Sequence, residues 1–269
     1  MSPQRKTKDL DGRLTARSVL LSVLLGTDPP RLPVQLLVRT TELFGISEGT
    51  TRTALSRMAA VGEVVADDGS YALAGDRLLA RQARQAASRA AHTRSWRRQA
   101  WAQAVVVAGR RRAAGDRASL RAALTSARLG ELREGVWLRP DNLGDLSDLA
   151  AAVEVDLAGD LRWFRAVPDD DPADLAAQLW DLPGWATRAV ELCQDMGDLV
   201  APLEAGDRAA LPDGFVLSAA VLRHFQADPL LPVELLPADW PGDRLRHDYD
   251  RYDTAYRNVL FTWFKQARG

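Results

Sequence analysis

The sequence predicts an α+β protein made of three parts, and three observations support this. A capped helical segment over residues 47–60 is followed by two short alternating segments around Asp68-Gly69. Apolar strand-like and helical segments then mix, and helical periodicity dominates the remainder. With 269 residues the chain can hold two or three domains. The predicted boundaries are a first domain over 1–75, a connecting helix over 76–99, a middle domain over 100–170 and a helical domain over 171–269.

The charge distribution indicates which half of the chain meets a polyanion. Residues 1–133 hold 23 Lys and Arg against 11 Asp and Glu, a balance of +12, whereas residues 134–269 hold 12 against 25, a balance of −13. A basic amino-terminal half is typical of nucleic-acid binding. The single cysteine, Cys193, excludes an internal disulfide and fits a reducing compartment. Because the apolar run at 18–25 is too short to span a bilayer, we expect a cytoplasmic protein with no membrane partner.

The first helices follow from caps and breakers. Residues 1–11 are polar and predict a tail, and Thr15 caps a helix from Ala16 to about Leu25, which ends at Gly26. Pro33 fits the first turn of a second helix that runs to about Phe44. Gly45 supplies the tight turn that follows it.

The third helix, from Ser47 to Ala60, is the segment that points to DNA. Ser47 is its cap, and Gly62 lies where a left-handed terminal residue is expected. Helical spacing turns Ala54, Leu55 and Met58 inward and leaves a short, polar and cationic outer face that fits a major groove. An ordinary amphipathic helix with a solvated outer face is the alternative. The predicted DNA contacts are Ser47, Thr50, Arg52, Thr53, Ser56 and Arg57, with Arg52 nearest the base edges.

After this helix, residues 63–74 alternate apolar and polar around Asp68-Gly69 and predict a β-hairpin. Two helices, a recognition helix and a hairpin in this order predict a winged helix-turn-helix. Residues 76–99 are rich in alanine and arginine, which favours a connecting helix. Its arginines either face DNA or are simply solvated.

The middle domain mixes strands and one helix. We expect a strand from Ala102 to Ala108, a helix from Ser119 to Leu129 that Gly130 ends, and a strand from Gly135 to Leu138 that Pro140 stops. Residues 153–157 and 163–167 can supply further strands. This order predicts a small α/β sandwich.

The carboxy-terminal part is predicted to be helical. Asp171 and Pro172 read as the cap and first position of a helix rather than as part of a metal site. Trp180 and Trp185 bracket a Pro-Gly break, and proline-rich turns at 229–241 separate the last two helices. The three histidines lack ligand spacing, and no phosphate loop or nucleophile motif occurs, so we expect no metal, no cofactor and no catalytic residues.

An ordered set of motifs resembles the PaaX-type bacterial transcriptional repressors, named for the regulator of phenylacetate catabolism. The motifs are RSVLLSVLLG, LLVRTTELFGISEGTTRTALSRMAAVGEV, WRRQAWAQAVVVAG, ELREGVWLRPDNL and DPLLPVELLPADWPG. The resemblance implies a homodimer, with an interface in its middle and carboxy-terminal domains, that binds a double-stranded operator. It departs from the family at the start of the middle domain, where Trp96 and Trp101 remain but the usual glycine between them does not.

The resemblance also implies a ferredoxin-like middle domain, a fold shared with small metal-dependent nucleases. Those nucleases place an acidic residue after the first strand, whereas this sequence has Gly109 followed by three arginines, so we expect no enzyme. A regulator of the GntR type is the alternative within DNA binding, since its recognition segment also resembles TTRTALSRM. An adaptor that binds protein through its winged helix is a further alternative.

Finally, the resemblance implies release from DNA by an effector such as phenylacetyl-coenzyme A, another acyl-coenzyme A thioester or an aromatic acid. Aromatic side chains and arginines cluster around the middle domain, and guanidinium groups bind coenzyme A phosphates well. Core packing is the simpler role for the tryptophans. The expected effector contacts are Trp96, Arg97, Trp101, Arg110, Trp137 and Arg139.

Overall fold

A computed structural model describes residues 15–106, 114–144 and 161–266, which form helices and two antiparallel sheets. This confirms the α+β class. The helices are α1 (Ala16–Leu25), α2 (Val34–Glu42), α3 (Glu48–Ala60), α4 (Asp76–Ala90), α5 (Ala114–Ser126), α6 (Pro172–Leu179), α7 (Leu182–Glu204), α8 (Leu211–Ala227) and α9 (Gly242–Gln266). The strands are β1 (Arg31–Pro33), β2 (Val64–Asp67), β3 (Ser70–Leu73), β4 (Trp101–Val106), β5 (Gly130–Arg133), β6 (Val136–Pro140) and β7 (Leu161–Ala166).

The chain divides into two compact units, and each contains separate stretches of sequence. Unit 1 comprises residues 1–85, 202–219 and 255–269, and unit 2 comprises residues 86–201 and 220–254. The amino-terminal helices and hairpin therefore form one unit with the first half of α8 and the last half of α9.

The core of unit 1 joins the first three helices to the hairpin. Leu20 and Leu24 of α1, Leu37 of α2, Leu55 of α3 and Leu73 of β3 belong to one buried cluster. Carboxy-terminal residues of this unit pack on the same elements: the rings of Phe44 and Phe215 meet edge to face at 4.9 Å, and Arg257 Nη2 donates to Gly26 O at 3.0 Å. Helices α8 and α9 thus contact the chain just after α2 and just after α1.

The three-residue strand β1 was not predicted from sequence. It pairs antiparallel with β3, so the first sheet has the order β1-β3-β2. Pro33 is the last residue of β1 and precedes α2, instead of occupying the first turn of that helix. An edge strand tolerates a proline because one side of it does not pair.

The second sheet lies in unit 2 and has the strand order β5-β6-β4-β7, all antiparallel. Helix α5 packs on one face of it through Leu120 and Leu124, beside Trp137 of β6. Leu175 of α6 joins Leu138 on the other face. Because residues 145–160 lie outside the described residues, the ferredoxin-like assignment stays a prediction, as does the strand expected at 153–157.

Two predicted boundaries in this unit are wrong. Gly130 does not end a helix: α5 ends at Ser126, and Gly130 opens the unpredicted strand β5, where Leu179 approaches too closely for a larger residue. The helix expected over 76–99 ends at Ala90, and Ala91 has a φ of +50°. Beyond it, Trp96 packs into the core and donates from Nε1 to Ala100 O at 2.7 Å. The helix thus ends where the alanine-rich sequence ends, and the weaker helix formers His92, Thr93 and Ser95 follow it.

In the carboxy-terminal part of unit 2, one predicted helix cap is confirmed and one predicted helix break is wrong. Asp171 accepts hydrogen bonds from the backbone of Ala173 and Asp174, which confirms it as a helix cap. The Pro-Gly pair does not break a helix but lies in the first turn of α7, where Asp181 accepts from Gly184 N at 2.9 Å.

Aromatic rings hold the later helices of unit 2 together. Trp185 stacks between His224 and Trp240 at centroid distances of 4.3 and 4.4 Å.

Within the described ranges, no helix combines the length and the apolar character needed to cross a membrane.

Candidate nucleic-acid interface

Helix α3 is fixed at both ends by local hydrogen bonds. Ser47 accepts from Thr50 N at 3.3 Å and confirms the predicted cap. At the other end Gly62 has a φ of +74°, and Glu63 N donates to Met58 O at 2.9 Å. This is a Schellman ending, in which a left-handed glycine satisfies the last carbonyl groups. The helix is therefore well defined over its whole length.

The inner side of α3 confirms the predicted packing, and it also contains a polar contact. Leu55 and Met58 are buried in the core of unit 1, and Ala54 packs against it. Thr51 is fully buried, and its hydroxyl lies 2.6 Å from the hydroxyl of Thr41 on α2. The Thr41 hydroxyl also lies 2.7 Å from Val38 O and the Thr51 hydroxyl 3.0 Å from Ser47 O, so both buried hydroxyls have backbone partners besides the contact that links α2 to α3.

All six residues predicted to contact DNA are exposed on α3 or at its cap. The structure therefore leaves all six accessible on the same helix or at its cap. Arg52 is extended along the helix, and its Nε donates to Glu48 Oε1 at 2.7 Å; both side chains are 55% exposed. The hydroxyl of Thr53 donates to Gly49 O at 2.8 Å, which leaves its oxygen as an acceptor. A Cβ added at Gly49 would meet nothing within 4 Å, so this side of the helix is open.

The β2–β3 hairpin lies in the same unit as α3 but differs from it in charge. Its turn is formed by Asp68 and Gly69, both with positive φ, as Asp-Gly hairpins require. Asp67 pairs with Arg31 at 2.6 Å. Asp68 at the tip is acidic and Asp67 is offset by Arg31, so the hairpin tip offers no net positive charge and α3 has the charge that suits DNA.

The five described residues among those expected to bind an effector do not converge on one surface. Trp101 is fully buried and meets Trp96 edge to face at 6.1 Å. Trp137 is buried on the opposite face of the sheet, under α5. Arg97 is exposed, and Arg110 lies outside the described residues. This burial favours a core role for Trp101 and Trp137, and effector contact stays a prediction.

Arg139, the last of these residues, is buried among backbone carbonyls. It donates to Pro140 O and Ala127 O, both at 3.2 Å. Burial lowers its pKa to about 9, and the neighbouring guanidinium of Arg128 contributes to the shift. Arg128 donates to the carbonyls of Phe225 and Gln226 at the end of α8, and burial lowers its pKa to about 10. Both cations thus fix the turn after α5.

A groove that sequence reasoning did not predict lies beside Arg52 in unit 1. Its volume is about 860 Å³, and helices α2, α3 and the end of α9 form it. The lining residues are Gln35, Val38, Arg39, Glu42, Glu48, Arg52 and Trp263. Trp263 is more than 200 positions from Arg52 in sequence, so no local pattern links them.

Among the described residues, no group of three or more His, Cys, Asp or Glu could hold a metal ion.

Comparison with protein families gives two matches in chain order. Residues 15–77 match the model for PaaX-like proteins, and residues 180–263 match the model for the PaaX-like protein C-terminal domain. The first match covers α1 to the hairpin, and the second ends at Trp263. No curated protein matches this chain.

Among solved structures, the chain is similar to uncharacterized protein Rv0674 from Mycobacterium tuberculosis. The two share 43% sequence identity, and the match covers 92% of this chain and 98% of the other, with a TM-score of 0.69. Likeness therefore extends over nearly the whole length of both chains.

Proposed function

Because this chain belongs to the PaaX-like protein family, we propose that it is a transcriptional repressor that binds double-stranded DNA in a sequence-specific way. The observation that supports this most is the outer face of α3: six exposed residues predicted to contact DNA lie together on a helix fixed at both ends. Elements α1 to β3 have the order of a winged helix-turn-helix, and in that arrangement α3 is the recognition helix.

Each side chain on α3 has a role that its chemistry suits. The guanidinium of Arg52 can form two hydrogen bonds to the N7 and O6 atoms of a guanine. Thr53 and Ser56 place hydroxyls beside it, and Arg57 at the margin suits a phosphate. Ser47 and Thr50 lie at the amino end of the helix, where the helix dipole favours a phosphate group. The acidic hairpin tip contributes little to this contact.

The proposed repressor acts as a homodimer and leaves DNA when it binds an acyl-coenzyme A thioester or an aromatic acid. A single recognition helix buries little DNA surface, and a symmetric partner supplies a second half-site. Family membership supports both points. Regulation, rather than catalysis, is the proposed role, because the chain offers no catalytic motif and its family is one of regulators.

Fluorescence anisotropy on a labelled DNA fragment that the protein enriches from a random pool of duplexes tests the proposal. We expect tight binding to that fragment and far weaker binding to a scrambled fragment of equal length. Affinity should fall by roughly 10³ or more between 50 and 200 mM salt if about six phosphates are contacted. Equal binding to both fragments would contradict sequence-specific recognition. Cleavage of either fragment in the presence of Mg²⁺ would contradict a regulatory role.

A further inference from the structure

The groove beside the recognition helix has the size of a small-molecule site. Its volume of about 860 Å³ lies within the range of roughly 300–1,000 Å³ that ligand sites occupy. It is built inside unit 1 from α2, α3 and the end of α9. Arg52, the residue expected to meet the base edges, is one of its walls.

The lining residues define the chemistry of an occupant. The indole of Trp263 and the side chain of Val38 offer apolar surface on which a flat ring can stack. The guanidinium group of Arg52 can take a carboxylate or phosphate in two hydrogen bonds, and Arg39 adds positive charge to the wall of the groove. The groove therefore suits a flat aromatic ring that bears an acidic group.

The carboxylates of Glu42 and Glu48 also line this groove, so an anionic ligand must compete with them. The contact to be displaced at Arg52 is weak. Glu48 and Arg52 form an i,i+4 pair in which both side chains are 55% exposed, and pairs this exposed contribute little. At Arg52 the carboxylate of the ligand takes the place of the Glu48 carboxylate. The ring of the ligand also stacks on Trp263, which adds to the binding free energy.

We propose that this groove binds an aromatic acid, or an acyl-coenzyme A thioester with its adenine ring and phosphates, and that the bound ligand holds Arg52 away from DNA. The proposal rests on the proposed function, since it names the site and the means of release. One guanidinium cannot pair with a ligand in the groove and with a guanine at the same time. Ligand and operator therefore lower each other's affinity by the same factor.

The size of the effect follows from linkage. When a ligand binds only the DNA-free protein, the apparent operator affinity falls by the factor 1 + [L]/Kd. At a ligand concentration of 100 times Kd we therefore expect roughly a 100-fold loss of operator affinity.

The test uses the full-length chain and measures ligand binding without DNA as well as operator release. The probes are phenylacetate, phenylacetyl-coenzyme A and coenzyme A alone, which distinguish a free acid from a thioester, and cyclohexylacetate, which lacks a flat ring. The key variant is Trp263→Ala. The matched control is Phe261→Ala, which removes a 51% exposed aromatic side chain from the same helix end but outside the groove.

By isothermal titration calorimetry we expect at least a tenfold loss of ligand affinity in Trp263→Ala and none in Phe261→Ala. Cyclohexylacetate should bind more weakly than phenylacetate. Trp263→Phe retains a flat ring and should lose less ligand affinity than Trp263→Ala. It also provides the test if the alanine variant folds poorly. Glu48→Gln should bind the ligand several-fold more tightly, because Arg52 then has no carboxylate to give up.

Full ligand affinity in folded Trp263→Ala, or no binding of any probe to the original protein, overturns the proposed site. Either result leaves DNA binding by α3 standing if the operator is still bound, but the failure of every probe to bind also counts against release by an aromatic acid or an acyl-coenzyme A thioester. Failure to bind any operator, with ligand binding that still depends on Trp263, instead sinks the proposed function and leaves the groove as a ligand site.

Discussion

Replacing Arg52 with alanine should weaken operator binding strongly and leave the fold almost unchanged. The reason is that Arg52 contributes little to the folded protein. Among the described residues it pairs with Glu48, both side chains are 55% exposed, and exposed i,i+4 pairs contribute about 0.3–0.5 kcal/mol. For a protein of this size that corresponds to a fall in Tm of about 1–2 °C.

The expected loss on DNA is larger. A guanidinium that contacts guanine with two hydrogen bonds is worth about 1–3 kcal/mol, which is roughly a 5- to 150-fold loss of operator affinity. Preference should relax at one base pair per half-site. Arg52→Lys retains the charge but not the planar fork, so the salt dependence should persist while base preference weakens.

Fluorescence anisotropy with operator DNA measures these losses, and circular dichroism during heating checks the fold. Arg188→Ala is the matched control, because Arg188 on α7 also forms an exposed ion pair, with Glu191 at 2.7 Å, on a helix of unit 2. If Arg52→Ala binds the operator as the original protein does, or if Arg188→Ala loses as much, the assignment of Arg52 is wrong.

Three further predictions concern the stability of the end of α3, the oligomeric state and the pH dependence of folding. Gly62→Ala should destabilise the protein by about 1 kcal/mol in urea unfolding, because Gly62 has a φ of +74° and a Cβ there is strained although no atom blocks it; an unchanged midpoint contradicts this. Light scattering at micromolar concentration should give the mass of a dimer, and a monomer that persists with operator DNA would disprove it. Burial lowers the pKa of His224 below its usual 6.5. Just below pH 6.5 the unfolded chain therefore binds a proton at this histidine more readily than the folded chain does. Stability should therefore fall as the pH drops through about 6.5, and His224→Asn should lose that part of the slope between pH 7.5 and 5.5.

Local chemistry made much of unit 1 predictable. Ser47, Gly62 and Asp68-Gly69 act through their own backbone neighbours, so caps and turns could be read directly from the sequence. The inward side of α3 followed from helical spacing, and Thr51 was placed beside it without its partner. The contact between Thr51 and Thr41 depends on how two helices meet, which spacing alone does not define.

The errors occur where distant residues decide the local structure. A helix was expected to continue to residue 99 because no glycine or proline interrupts the run, but the backbone of Arg94 donates to Asn142 O at 2.6 Å and Trp96 enters the core. At Gly130 a helix stop was expected because glycine often ends helices. Glycine is required at position 130 for another reason, because a side chain there would collide with Leu179.

The groove could not be predicted from sequence either, because it depends on packing between residues that are far apart in the chain. Trp263 had no periodic or motif context that pointed to α3, yet it lines the same groove as Arg52. The tryptophans of the middle domain show the opposite case: their density suggested a ligand surface, whereas Trp101 and Trp137 are buried in the core.

Selection from a random pool of double-stranded oligonucleotides tests the central claim most directly. The full-length protein should enrich a partly palindromic motif with two half-sites about 10 base pairs apart, or a multiple of that spacing. Arg52→Ala, selected in parallel, should lose the preference at one position in each half-site. A pool that remains random after repeated rounds, while the protein stays folded and retains DNA nonspecifically, would contradict sequence-specific recognition by α3.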